Sequence, residues 1–342
     1  MSTHIFERYG DTPVLEPRPG KWDAVSTFNP GAIMHNGKVL MVYRAVTDLQ
    51  AYISRLGLAV SSDGYHFDRA VDTCVHEFQR RYEAGGVEDA RITRDGDDFL
   101  VTYAAVPVIP GPAYEQVDWF NRAKKDPYID RPGAPPMGPS FTGLLRSKDL
   151  KTFTVEGLLT PPGIDDRDGI LFPEKINGKY AMLHRPTSWT GAAYGTPKPS
   201  IWIAFSDDLK TWDYGSGGQY LLMKPQQGAA WEEQKIGGGP PPIKTRHGWL
   251  CIYHGVDNRH VYRVGAALLD ADNPLKVLGR TRSFLMEPEM EWEKTGVIPN
   301  VVFPTGLVLK GERELLMYYG GADHVVGLAV ADLDTLIAHL TA

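Results

Sequence analysis

The sequence predicts an all-β protein, a five-bladed β-propeller, and three observations predict it. A strand motif recurs along the chain, tight turns punctuate it, and the longest amphipathic helical pattern is a short C-terminal segment at 333–340. The motif is a small-apolar strand followed by Ser or Ala, an acid and often an aromatic. It reads GLAVSSDGYHF at 57–67, GLLRSKDLKTF at 143–153 and IWIAFSDDLKTW at 201–212, then more loosely GAALLDADNPLKVL at 265–278 and GLAVADLDTLIAHL at 327–340. From Gly57 to Gly143 is 86 residues, and the following spacings, to Ile203, Gly265 and Gly327, are 60, 62 and 62.

A second strand precedes each copy: KVLMVYRAV at 38–46, DFLVTYAAV at 98–106, KYAMLHRP at 179–186, WLCIYHGVD at 249–257 and ELLMYYGGAD at 314–323. These runs are rich in β-branched and aromatic residues, and Asn36-Gly37, Asp95-Gly96 and Asn177-Gly178 read as hairpin turns ahead of three of them. Before the turns lie the shorter strands GAIMH, ARITR, LFPEKI, PPPIKT and TGLVL. Each unit thus reads strand, turn, strand, connection, strand, acidic turn. A two-sheet sandwich or a two-domain β protein would not produce five like units.

The first interval exceeds the others by about 25 residues, and the excess falls in a Pro- and Gly-rich stretch between Val106 and Thr142. It reads as a long loop inserted at about 107–140 into a single catalytic domain spanning 1–342. Its aromatics, Tyr114, Trp119, Phe120 and Tyr128, suit either a pocket cover or a subunit contact, which would make the protein a homo-oligomer.

Composition excludes several classes. A net charge of −6 without a Lys/Arg run removes the basic footprint of a nucleic-acid binder. Cys74 and Cys251 are isolated in apolar surroundings, so neither a disulfide framework nor a zinc site is expected. The ten His include no H-x-H or H-E-x-x-H spacing, and no metal is expected. MSTHIFERYG has no signal-peptide core and no apolar run reaches membrane-span length, so the expectation is a cytoplasmic protein with no membrane partner.

In a propeller the innermost strands line a central funnel, which makes the first strand of each unit the place to seek chemistry. The residues at those places are Asn29-Pro30, Glu88-Asp89, Pro173-Glu174-Lys175, Gly238-Gly239-Pro240 and Phe303-Pro304. Second strands end in Tyr43-Arg44, His184-Arg185, Tyr253-His254 and Gly321-Ala322-Asp323. A hydrolase needs two carboxylates, one of them to activate water. A surplus of Arg, Lys and His around one acid suits an anionic co-substrate instead. Taken singly, each of these cations is more often one half of a structural ion pair.

GVEDARIT, LFPEKINGKYAMLHRP, GGGPPPIKTRHGWLCIYHGV, YRVGAALLD, IPNVVFPTG and YYGGADHVVGLA together resemble glycoside hydrolase family 130, the β-mannoside phosphorylases and related β-mannosidases. The resemblance runs from about Asn29 to Ala331. It implies a five-bladed propeller and an inverting reaction in which Asp89 donates a proton, with Ala90 replacing the family's usual proline. It further implies attack by inorganic phosphate, as co-substrate and with no other cofactor, on a mannoside to give α-mannose 1-phosphate. By the same resemblance Lys175, His184, Tyr253 and His254 look like phosphate-pocket members. Arg44 and Arg55 resemble the family's N-terminal arginines, for phosphate or sugar. Asn29 and Asp323 look like contacts to the mannose, Glu88 like a substrate-orienting neighbour. Arg91 is expected to face the same way as Asp89 and hold its carboxyl.

One departure opens alternatives. Ser140 or Phe141 stands where the phosphorylases carry an arginine, and Arg146, Arg122 or Arg131 would have to replace it. If none does, hydrolysis of the same substrates by water, with Glu174 or a glutamate of the insertion as base, becomes the second reading. A non-catalytic glycan-binding propeller is the third.

Overall fold

The computed structural model describes residues 5–49, 52–107, 139–161 and 163–342. The insertion aromatics, Arg122 and Arg131 lie outside the described residues.

The chain is all-β, built as five successive antiparallel units. The first comprises β2 (Ser26–His35), β3 (Lys38–Val46), β4 (Ser54–Ser61) and β5 (Asp68–Arg69), after a short β1 (Glu7–Arg8). The second is β6 (Gly86–Asp95), β7 (Asp98–Val106), β8 (Phe141–Ser147) and β9 (Thr154–Leu158). The third is β10 (Asp166–Leu171), β11 (Tyr180–Pro186), β12 (Ile201–Ser206), β13 (Trp212–Asp213) and β14 (Leu221–Met223). The fourth is β15 (Lys235–Gly238), β16 (Ile243–Thr245), β17 (Gly248–Val256), β18 (Tyr262–Leu269) and β19 (Val277–Arg280). The fifth is β20 (Val302–Lys310), β21 (Glu314–Gly321) and β22 (Val325–Asp332), to whose outer edge the N-terminal β1 adds antiparallel. A single parallel bridge, Ser54 to Gly86, joins the first two units into one sheet.

The turns follow from their residues. Asn36-Gly37 and Asn177-Gly178 hold positive φ at both positions, as a type I′ turn demands. The recurring Ser-x-Asp of the sequence is likewise a turn device. Ser61, Ser147 and Ser206 accept the N–H of Gly64, Leu150 and Leu209 at 2.8, 2.8 and 2.9 Å. Asp63, Asp149 and Asp208 accept those of Tyr65, Lys151 and Lys210 at 2.8, 2.8 and 2.9 Å.

The units are buried on both faces, which is why their strands read as nearly continuous apolar runs. Side chains alternate, so neighbours on one strand enter different cores. Met41 and Tyr43 pack with Leu316 and Leu328 of the fifth unit, whereas Val42 packs with Ile92 and Val101 of the second. Leu100 joins Leu171 and Met182 of the third unit, Cys251 joins Ile203, and Leu250 joins Leu315. Among the described residues every core is thus shared by two units, and one of them joins the last unit to the first.

A second repeat, invisible as a motif, braces four units. Tyr43, Tyr103, Tyr253 and Tyr319 each lay a ring over a glycine of the next strand, where a Cβ would collide with it: Gly57, Gly143, Gly265 and Gly327. Their hydroxyls donate to buried carboxylates: Asp23 (3.2 Å), Glu83, Glu232 (2.9 Å) and Glu293 (2.8 Å). Asp23, Glu232 and Glu293 also pair with Arg18, Arg280 and Arg8, at 3.0, 2.9 and 2.8 Å. Each acid is fully buried, so removing it leaves a buried tyrosine hydroxyl, and in three units a partly buried arginine, without that partner. Glu232→Ala is expected to cost about 3 kcal/mol or more. Tyr253→Phe, which removes the hydroxyl's two hydrogen bonds, to Glu232 and from Arg280, and keeps the ion pair, should cost about 1–2 kcal/mol. Urea unfolding of the two variants measures the difference, and equal costs would show that the acid is not the brace.

Candidate active site

The first strands of four units break their pairing, that of the fifth between Pro304 and Gly306 and the other three with a shared geometry. Partners shift between Phe28 and Gly31, between Glu88 and Arg91, and between Arg167 and Ile170. In each of these three bulges the second residue takes a left-handed φ: Asn29 at 44°, Asp89 at 54° and Asp168 at 56°. Asn and Asp tolerate that region better than other side chains. The extra residue suspends the two-residue alternation, so Glu88 and Asp89, adjacent in sequence, both reach one cavity.

That cavity, of about 240 Å³, is lined by residues from all five units. One end is acidic. Asp89 Oδ1 accepts from Asn29 Nδ2 at 2.8 Å and from Arg44 Nη1 at 3.3 Å. Glu88 Oε1 accepts from Arg44 Nη2 at 2.6 Å and from Ser54 at 3.1 Å. Burial alone would lower the pKa of Arg44, but Glu88, Asp89 and Asp323 outweigh it and hold the guanidinium charged. Burial raises that of Glu88 against the pull of Arg44. Asp323, open to the cavity on one side, is desolvated enough to be pushed up to about 7, with Arg44 opposing and Asp89 and Glu88 adding.

The other end holds the cationic Arg167, Arg185 and Lys235, with His254 and Tyr262. Asp168 stands among them: its Oδ2 accepts from Arg185 Nε at 2.6 Å and lies 3.9 Å from His254 Nε2. Burial would raise Asp168, but Arg185, His254 and Arg91 prevail and hold it below the usual carboxylate range. Burial lowers Lys235 to about 8, helped by Arg185, and lowers His254 to about 3 against Asp168. Gly237 is the close approach that permits this cluster, since a Cβ there would lie 2.3 Å from Asp168 Oδ2.

The structure gathers Asn29, Arg44, Glu88, Asp89, His254 and Asp323 of the expected residues at the cavity. Arg91 is behind it, with a correction: the bulge turns it inward, and it donates to the backbone carbonyls of Asp89 (2.5 Å) and Gly239 (2.6 Å), not to the carboxyl. Four expected phosphate contacts are elsewhere. Lys175 is exposed on the β10–β11 turn with its ammonium over the Tyr180 ring, and Glu174 beside it pairs with Lys244. His184 is buried, its Nδ1 2.7 Å from Asp166, and Tyr253 is committed to Glu232. Arg55 pairs with Glu77. Arg146, a candidate replacement arginine, pairs with Asp98 away from the cavity, and Ser140 is buried.

The reason is a shift of one strand. The first strand of the third unit is β10, starting at Asp166, and LFPEKI only ends it. The matched place is therefore Arg167-Asp168, carried by DRDGI, whose acid ahead of an apolar run parallels EDARI. Lys235 and Tyr262 were also missed, each the opening residue of a strand of the fourth unit.

Residues 7–110 and 142–341 match the family model for β-1,4-mannooligosaccharide phosphorylases. A 1,2-β-oligomannan phosphorylase of Thermoanaerobacter sp. (strain X514) is 39% identical, over 96% of this chain and 97% of that one. A β-1,2-mannobiose phosphorylase of the same organism is 34% identical, over 95% and 96%. The solved complex of β-1,2-mannobiose phosphorylase from Listeria innocua with β-1,2-mannobiose has a TM-score of 0.77 at 27% identity, covering 98% of this chain and 99% of that one. Fold, site and relatives place this chain among the carbohydrate-active all-β enzymes. It belongs to glycoside hydrolase family 130.

A raised carboxyl makes stability depend on pH with a definite sign. Between its ordinary value and about 7, folded Asp323 holds a proton that the unfolded chain has released, so its contribution is lost as pH rises through about 7. Asp323→Asn, which suits the left-handed φ of 50°, should therefore gain Tm relative to the wild type between pH 5 and pH 8. A difference in Tm that does not change with pH would contradict this assignment.

Proposed function

We propose that the chain is an inverting phosphorylase of β-mannosides, which takes inorganic phosphate as co-substrate and releases α-mannose 1-phosphate. The observation that carries this reading is the cation cluster of Arg167, Arg185 and Lys235, with His254 beside it, facing the acidic end across one cavity. In it the mannose lies at the acidic end, against Asn29, Arg44 and Asp323, with Glu88 orienting Arg44. Asp89 delivers a proton toward the departing glycosidic oxygen, directly or through a sugar hydroxyl. A phosphate oxygen, held by the cations, attacks the anomeric carbon from the opposite face as the glycosidic bond breaks. The nucleophile arrives as an anion, so the site needs no strong base, and its cations serve positioning and charge. Taken over the whole reaction, hydrogen phosphate plus mannoside yields the sugar phosphate dianion plus an alcohol, and the proton balances.

Supporting a five-bladed propeller is the cyclic succession of cores, the last unit packing on the first. Supporting β-1,2 linkages as the first substrates to try are the names of the two relatives above. A sugar phosphate retains its value only where it is metabolised, which favours the cytoplasm; among the described residues no helix is long and apolar enough to cross a membrane.

The test is incubation with β-1,2- and β-1,4-mannobiose, with and without phosphate, assaying mannose 1-phosphate. Phosphate-dependent product is expected; free mannose released equally fast without phosphate would mean a hydrolase. Asp89→Asn should lower kcat by about 10²–10⁴-fold. Arg185→Ala should raise the KM for phosphate far more than that for the mannoside, and an equal rise in both would remove Arg185 from the phosphate end.

A further inference from the structure

Asp168 is an odd resident for an anion site. It is the one carboxylate among the cavity's cationic residues, held in place by a left-handed bulge and by Arg185. Only its Oδ2 is engaged. Among the described residues no donor reaches Oδ1, and that atom is not among the buried unpaired ones, so it is open to the cavity. Arg167, Arg185 and Lys235 can satisfy the lone pairs of an incoming oxyanion, but Oδ1 of Asp168 can be satisfied only by a donor.

Hydrogen phosphate has one. At neutral pH it carries a P–O–H beside its ionised oxygens, and an O–H to carboxylate bond is short and strong. Sulfate has the same charge, a similar size and no proton, so against Asp168 it would place acceptor on acceptor in a partly desolvated site. We propose that Asp168 is a specificity-determining residue that admits protonated oxyanions to the cation cluster and rejects fully ionised ones. The inference rests on the phosphorylase reading, and deepens it by naming what tells phosphate from other tetrahedral anions. A site built around one hydrogen bond to a ligand O–H discriminates against analogues lacking it by far more than shape alone achieves.

The experiment compares two size-matched pairs in the wild-type enzyme, phosphate with sulfate and arsenate with selenate, with β-mannobiose as sugar substrate. Arsenate should substitute for phosphate. Sulfate and selenate should inhibit competitively only at concentrations at least about 100-fold above the KM for phosphate. In Asp168→Asn the amide can still accept from Arg185 and now offers N–H to the cavity. There the ratio of sulfate Ki to phosphate KM should fall at least about tenfold. Sulfate competing near the phosphate KM in the wild type would overturn the proposal, as would an unmoved ratio in a variant whose melting curve shows it folded. Should the variant not fold, the four-anion comparison alone decides. Should sugar release prove independent of phosphate, the phosphorylase reading fails separately. Titration calorimetry of phosphate and sulfate into the resting protein then decides this one: phosphate bound and sulfate not supports it, while equal binding or none overturns it.

Discussion

A strand buried on both faces has no natural way to show consecutive polar side chains to one cavity, and the candidate active site depends on how this chain escapes that rule. Strict alternation would send Glu88 and Asp89 to opposite faces, one of them into the apolar core. A single extra residue with left-handed φ, repeated at Asn29, Asp89 and Asp168, removes the conflict. The cost is modest because Asn and Asp are the residues that tolerate such a backbone. Arg91 closes the arrangement from behind: buried itself, it ties the carbonyl of Asp89 in the second unit to that of Gly239 in the fourth.

The division of charge across the cavity follows from those bulges. Arg44 faces three carboxyl groups, Glu88, Asp89 and Asp323, and burial with that one cation shared among them leaves Asp323 poorly stabilised as an anion. Opposite, Arg185 pairs with Asp168 and Arg167 with Asp165, and Lys235 leaves the cations in excess; repulsion from Arg185 helps lower Lys235 and His254. Each end is therefore unbalanced in a way that a ligand of matching chemistry corrects. Hydroxyls of a sugar and oxygens of an anion do so at opposite ends of one space.

Away from the cavity the same residue types do different work. The acids of Ser61–Asp63, Ser147–Asp149 and Ser206–Asp208 bind backbone N–H groups in outer turns. Glu83 and Glu293 also cap short helical turns, and Glu232 accepts the N–H of Gln226, while each grips a tyrosine of the neighbouring strand. Tyr253 belongs to this bracing although His254, its neighbour, lines the cavity. Adjacent residues on a strand point oppositely, so a paired expectation for both could hold for only one.

The sequence by itself determined the all-β class, the five units and the position of Asp89, because these rest on local signals: apolar runs, Asn-Gly turns, and an acid pair opening a strand. It also contained Asn29, Arg44, Glu88, His254 and Asp323, recognisable from their motifs. What only the tertiary structure decided was register. The FPEKI of the third unit lies beyond the end of its strand, so Lys175 is at the surface and Arg167-Asp168 take the inner place. Whether a polar residue faces cavity, core or solvent turns on a one-residue bulge or the start of a strand. Neither leaves a mark in composition or spacing, since both are settled by pairing with strands far along the chain.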